Sequence, residues 1–197
     1  TSSIYSWWSG EELSPQYFDI YSLGDTQNEM KINHHEFPND SRLVTWYPGK
    51  PAMLVYQFSQ EGILKHNLTD GKIEPWLSPP ANQPIREGRI RYNYCLLTQD
   101  GDTMYYVKWV RREFAIEGGS DRGSYEQGYL IQRDVQSGLE KELYNVSYGR
   151  FVLSPDEKWL AFYRRDGEQN SFLRKDIFSL LVFNTGTEEF RELYTTH

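Results

Sequence analysis

A hairpin signature recurs four times along the chain. Each copy has a strand of alternating apolar residues followed by a polar turn with glycine, and the turn glycines are Gly24, Gly71, Gly138 and Gly186. Glycine favours hairpin turns because it readily adopts the positive φ that the tightest of these turns require. A signature that recurs at this spacing predicts a fold of repeated units.

A second pattern precedes three of these hairpins: a strand, a turn with Pro, Asp or Gly, and a strongly apolar strand. Leu153–Tyr163 aligns without gaps on Leu97–Val107 and more loosely on Trp46–Tyr56. With its hairpin, each copy forms a unit of four strands. Such a meander cannot cover both of its faces alone, and radial stacking of the sheets is a common way to cover them.

We therefore predict an all-β fold of β-propeller blades, each of four antiparallel strands. The whole chain, residues 1–197, is one propeller region, with a partial blade in 1–40 and complete blades at about 41–80, 89–146 and 149–197. Closed propellers typically have about 4–8 blades. Three complete blades plus one partial blade favour a fragment of a larger propeller.

The third unit resembles a known propeller repeat. Its segment 153–162 reads Leu-Ser-Pro-Asp-Glu-Lys-Trp-Leu-Ala-Phe and is followed by a hairpin with Asn-Thr-Gly at 184–186. This combination looks like the TolB-type repeat, which also occurs in the propeller domains of prolyl oligopeptidases and dipeptidyl peptidases. Gln99 replaces the usual Pro of that repeat, and Gly49 stands where Asp is expected. The resemblance implies a periplasmic or secreted protein.

Charge and hydropathy disfavour two classes of partner. The formal net charge of −7 repels phosphate backbones and anionic membrane surfaces, so we expect no nucleic-acid partner. No stretch approaches the roughly 18 apolar residues of a spanning helix, so we expect no membrane span.

Two long segments follow the second strand of their units, at 112–128 and 165–176. We predict both as loops on one rim of the propeller, because both are rich in glycine and charge. Guanidinium groups there would bind a protein, a peptide or a small acidic ligand. The candidate binding residues are Arg111, Arg112, Arg122, Tyr125, Arg164, Arg165 and Arg174.

The arginine pairs also have a simpler interpretation. Adjacent strand residues point to opposite faces, so one arginine of each pair would be solvated and the other would form an ion pair with a nearby carboxylate.

The sequence predicts no catalytic residue, no metal site and no cofactor. We expect His34 and His35 to lie in a solvated loop between blades, where two consecutive side chains rarely bind one ion. The run Gly118–Gly123 lacks the Gly-x-Ser-x-Gly spacing of a nucleophile elbow. Cys95 lies in an apolar run, where a buried thiol is expected.

These observations favour a non-enzymatic binding module that acts through its rim loops. The alternative, implied by the resemblance, is the substrate-gating propeller of a prolyl oligopeptidase- or dipeptidyl peptidase-type serine peptidase, whose catalytic domain lies outside this chain. A propeller-type polysaccharide lyase is disfavoured, because the 4 histidines lack ligand spacing.

Overall fold

In a computed structural model, every regular element of the described residues is a β-strand. The structure describes residues 16–22, 30–37, 41–50, 52–57, 61–83, 88–115, 122–146, 150–166 and 177–195. The strands are β1 (Gln16–Ser22), β2 (Met30–Phe37), β3 (Ser41–Trp46), β4 (Ala52–Gln57), β5 (Gly62–Asn67), β6 (Ile73–Leu77), β7 (Ile90–Leu97), β8 (Thr103–Ala115), β9 (Arg122–Asp134), β10 (Glu140–Val146), β11 (Phe151–Leu153), β12 (Trp159–Asp166), β13 (Ile177–Asn184) and β14 (Phe190–Thr195).

The strands form four antiparallel sheets in which neighbours in sequence are neighbours in space. β3–β6, β7–β10 and β11–β14 are four-stranded meanders, here called the first, second and third blades, and among the described residues β1 and β2 form a two-stranded sheet. This confirms the predicted fold class: all-β, with three complete propeller-type blades and one partial blade.

The first and second blades meet through apolar side chains of their second strands. Leu54 and Tyr56 of β4 belong to the same buried cluster as Met104 and Tyr106 of β8. Because strand side chains alternate, every other residue of each strand reaches this interface. Burial of side chains of this size stabilises the folded state by about 1.5–3 kcal/mol each.

The intervening residues of β8 fill the next interface. Tyr105 and Val107 cluster with Leu160 and Phe162 of β12, the second strand of the third blade. All four side chains are at most 2% exposed. The apolar strand of the second blade therefore serves two interfaces, one on each face of its sheet.

The hairpins that close the blades share one turn geometry, but the glycines do not all occupy the same place in it. The amide of Gly71, Gly138 or Glu188 donates to the carbonyl of the residue four positions earlier, and these three residues have φ of +71°, +74° and +61°. Gly186 is therefore not equivalent to the other turn glycines. In the third blade the position with positive φ is occupied by Glu188, which the sequence pattern did not indicate.

The expectation that His34 and His35 lie in a loop is wrong. Both belong to β2, where they pair with Asp19 and Phe18 of β1. The run Met30–Phe37 has few typical strand formers, so its conformation follows from pairing with β1 rather than from intrinsic propensity.

Among the described residues, no helix is long and apolar enough to cross a membrane.

The turn geometry predicts effects of different size for two glycine substitutions. Gly71→Ala should lower the free energy of unfolding by about 1–2 kcal/mol, the cost of a side chain in the left-handed region, although open space surrounds its Cβ position. Gly186→Ala should change it by less than about 0.5 kcal/mol, since that Cβ would meet only Asn184 Oδ1 at 3.5 Å. Urea denaturation of both variants measures the difference, and a larger loss for Gly186→Ala would contradict the shared turn geometry.

Candidate functional site

Contacts between turns establish which ends of the second and third blades lie together. The side-chain Nε2 of Gln99 donates to the carbonyl of Pro155 at 3.1 Å, and the backbone N–H of Gln99 donates to Glu157 Oε1 at 2.5 Å. These residues lie in the turns between the first and second strands of each blade. Because the strands are antiparallel, the connections between second and third strands lie at the opposite end, here called the far rim.

On the far rim, β8 and β9 continue beyond the rest of their blade. They pair from Thr103 and Asp134 as far as Ala115 and Arg122, whereas β7 pairs with β8 only as far as Val110. The residues beyond Val110, 111–115 and 122–126, form a two-stranded ribbon of about 16 Å at about 3.3 Å per residue. We call this ribbon the hairpin arm.

The hairpin arm corrects the prediction of a loop over residues 112–128. Residues 112–115 and 122–128 are strand, and residues 116–121 lie outside the described residues. Glycine and charge in this segment favoured a loop, but an exposed two-stranded ribbon buries neither face fully and tolerates polar residues on both. Backbone bonds of Arg111 to Arg89 and Gly88 secure the base of the arm.

The arm separates the first arginine pair and brings Tyr125 to one of its members. Arg112 pairs across the ladder with Tyr125, while Arg111 pairs with Glu126, so the two arginines occupy opposite faces. Arg112 Nη2 donates to the Tyr129 hydroxyl at 3.3 Å. On the other face, Arg111 Nη2 donates to Ser124 Oγ at 3.0 Å.

Arg164 of the second pair links two blades. Its Nη1 donates to the hydroxyl of Tyr144 in the second blade at 2.7 Å, and its Nη2 lies 3.3 Å from Glu192 Oε2 in the third. This arrangement matches the simpler interpretation, in which an arginine of the pair finds a carboxylate nearby. The side chain of Arg164 stabilises the junction of the blades.

The backbone locates two further candidates. Arg165 pairs with Phe178 across β12 and β13, and Arg122 pairs with Ala115 at the end of the arm. The side chains of both lie outside the described residues, as does the whole of Arg174. Of the described candidates, only Arg112 and Tyr125 come together on one face of the arm, where both are half-buried.

Sequence reasoning missed a cavity of about 660 Å³ between the blades. Its walls come mainly from the first strands of the second and third blades and the turns that follow them. Arg91, Tyr94 and Arg150 line it, and no motif surrounds any of them. The only local signal was the position of the first two beside the apolar run that contains Cys95.

The surroundings raise the pKa values of two titratable groups of the cavity wall. Burial raises the pKa of Tyr56, an effect that the positive charge of Arg91 partly opposes. Burial also raises the pKa of the Cys95 thiol well above its usual range. Cys95 is buried as predicted, and a thiol with such a pKa carries little thiolate at neutral pH.

Within the part of the chain that the structure describes, no three His, Cys, Asp or Glu residues are grouped so that they could hold a metal ion.

Comparison with known proteins identifies neither a family nor a named relative. No family model matches the chain, and no curated protein matches it. The assignment to the TolB type therefore stays a prediction.

Several solved structures are similar in their chain path. A protein from Lactobacillus plantarum is 14% identical, with a TM-score of 0.48 over 98% of this chain and 55% of that one. The periplasmic gluconolactonase of Pseudomonas aeruginosa is 12% identical, with a TM-score of 0.43 over 93% of this chain and 64% of that one. The tricorn protease is 9% identical, with a TM-score of 0.36 over 90% of this chain and 20% of that one. This chain thus spans about half of the Lactobacillus protein.

The contacts of Arg164 predict that its side chain stabilises the folded chain. Arg164→Met should lower the free energy of unfolding by about 1.5–3 kcal/mol, the range for hydrogen bonds to charged groups. Arg111→Met, which loses one exposed bond to Ser124, should cost less than about 0.5 kcal/mol. Chemical denaturation compares the two variants, and equal losses would show that Arg164 does not link the blades.

Proposed function

We propose that this chain is a non-enzymatic binding module of the β-propeller type that engages an acidic peptide segment of a protein partner through its hairpin arm. The observation that carries the proposal is the extension of β8 and β9 beyond their blade, with Arg112 and Tyr125 paired on one face. Function concentrates on segments that a rigid scaffold holds away from its body.

The form of the arm suits a peptide partner. The described residues of the arm are held in register by the ladder between β8 and β9, and this order reduces the entropy lost on binding. Among the described residues, 112–115 and 122–126 have ladder partners only within the arm, so an extended peptide can add along its edges as a further strand.

The chemistry of one face supports an acidic partner. The guanidinium of Arg112 is held beside the phenol of Tyr129, which itself donates to Gln127 Oε1 at 3.0 Å. Arginine and tyrosine are the residue types that contribute most to protein interfaces, because they combine a large contact area with polar groups. Since the whole chain carries a net charge of −7, acidic segments are repelled from most of its surface and the arginines of the arm become the favoured contact.

The test begins with selection of peptides from a displayed random library against the whole chain. Selected peptides should be enriched in Asp and Glu. Replacement of residues 112–125 by Asn-Gly should reduce their affinity at least about tenfold, a loss of about 1.4 kcal/mol. This replacement joins Arg111 to Glu126, which already face each other, by a two-residue turn that suits a hairpin, so the blade should still fold.

Point variants provide matched controls on the two faces of the arm. Arg112→Ala and Tyr125→Ala should each weaken peptide binding, whereas Ser124→Ala, on the opposite face, should leave it unchanged. Fluorescence anisotropy of labelled peptides measures all three, and circular dichroism checks their folding. Peptides that bind the shortened chain as tightly as the intact one would exclude the arm as the site.

A further inference from the structure

The cavity between the blades is walled by sheet edges. In the strand order of each blade, β7 and β11 are edge strands, and residues of both line the cavity together with Thr45 of β3. Edge strands present backbone groups that have no partner on that side. A molecule in this cavity therefore meets both side chains and hydrogen-bonding backbone.

Tyr94 lines the cavity in a conformation that tyrosine rarely adopts. Its φ is +48°, and it lies at a bulge where the pairing of β7 with β8 shifts between Asn93 and Cys95. A bulky residue in the left-handed region costs about 1–2 kcal/mol. Strain and bulges of this kind concentrate at binding sites, where they aim a side chain at a ligand.

Arg91 is held in place at the same wall. Its guanidinium lies 5.4 Å from the centre of the Trp109 ring, it is paired with Glu126, and its positive charge acts to lower the pKa of Tyr56. Its Nε is buried and makes no hydrogen bond to any described residue. Arg91 is thus positioned by its neighbours while one donor has no partner among them.

A second cation lines the cavity from the third blade. Arg150 is exposed, and no described carboxylate forms an ion pair with it. The cavity wall also includes Glu157, so the formal charges of its three ionic residues sum to about one positive charge, and the pair of Arg91 with Glu126 lowers the local charge further. Apolar residues such as Leu97 and Phe151 also line the cavity, together with polar residues such as Asn93 and Gln99.

We propose that this cavity binds a small monocarboxylate with an aromatic or branched apolar body, at a site distinct from the face of the hairpin arm that carries Arg112 and Tyr125. The two are joined at the base of the arm by the pair of Arg91 with Glu126. Arg150 and Arg91 hold the carboxylate, since guanidinium groups match its geometry. Tyr94 and Phe151 contact the apolar body. The carboxylate of Glu157 and the single net positive charge favour a monoanion over a phosphate dianion, which would leave repulsion unbalanced.

Calorimetric titration of the intact chain tests the charge requirement with two probes of one shape, 3-phenylpropionate and 3-phenylpropionamide. The acid should bind saturably and at least about tenfold more tightly than the amide, the factor that corresponds to about 1.4 kcal/mol. Equal affinity for the two probes, or no saturable binding of the acid, would overturn the proposal.

Variants then assign the binding to the cavity. Arg150→Gln should weaken binding of 3-phenylpropionate about tenfold, while Arg191→Gln, an exposed arginine of β14, should leave it unchanged. Tyr94→Gly should also lose affinity, although glycine accepts the left-handed backbone without strain and should not prevent folding. An unchanged affinity in Arg150→Gln would exclude this residue as the anion contact and overturn the proposal.

The arm-shortened chain separates this inference from the function proposed for the arm. It should bind 3-phenylpropionate like the intact chain even where it has lost the selected peptides. Loss of 3-phenylpropionate binding in that variant would show that the carboxylate site is not separate from the arm.

Discussion

Each blade of this protein depends on its neighbours because its second strand is apolar on both faces. In β8, Met104 and Tyr106 fill one interface and Tyr105 and Val107 the other, all at most 2% exposed. An isolated sheet would leave one of these faces in water, at a cost of about 25 cal/mol for each Å² of apolar surface. The stacked arrangement follows from this requirement.

The two proposed sites use different parts of the same scaffold. The cavity lies at the first strands of the second and third blades, where Tyr94 departs from regular geometry. The hairpin arm lies at one rim, where β8 and β9 extend beyond the end of their pairing with β7. Both are places where the repeat is interrupted, and the rest of each blade is occupied by packing.

Several errors of sequence interpretation have one physical origin. Strand pairing overrides local composition, so polar segments around His34 and Arg112 became strands although they resemble loops. Turn geometry is likewise set by the ladder: the hydrogen bond closes at Glu188, and the positive φ falls there although Gly186 is two residues away. Composition describes which backbone conformation a residue prefers, but its cross-strand partners decide which conformation it adopts.

The sequence by itself determined the repeat, the four-stranded unit and the alternation that buries one strand between two blades, because these depend on periodicity along the chain. It also identified Arg112 and Tyr125 as candidates. Only the tertiary structure decided that these two share a face while Arg164 joins two blades. It alone also showed that Arg91 and Arg150, far apart in sequence, line one cavity. Such proximity depends on how the sheets stack, which no local pattern of residues records.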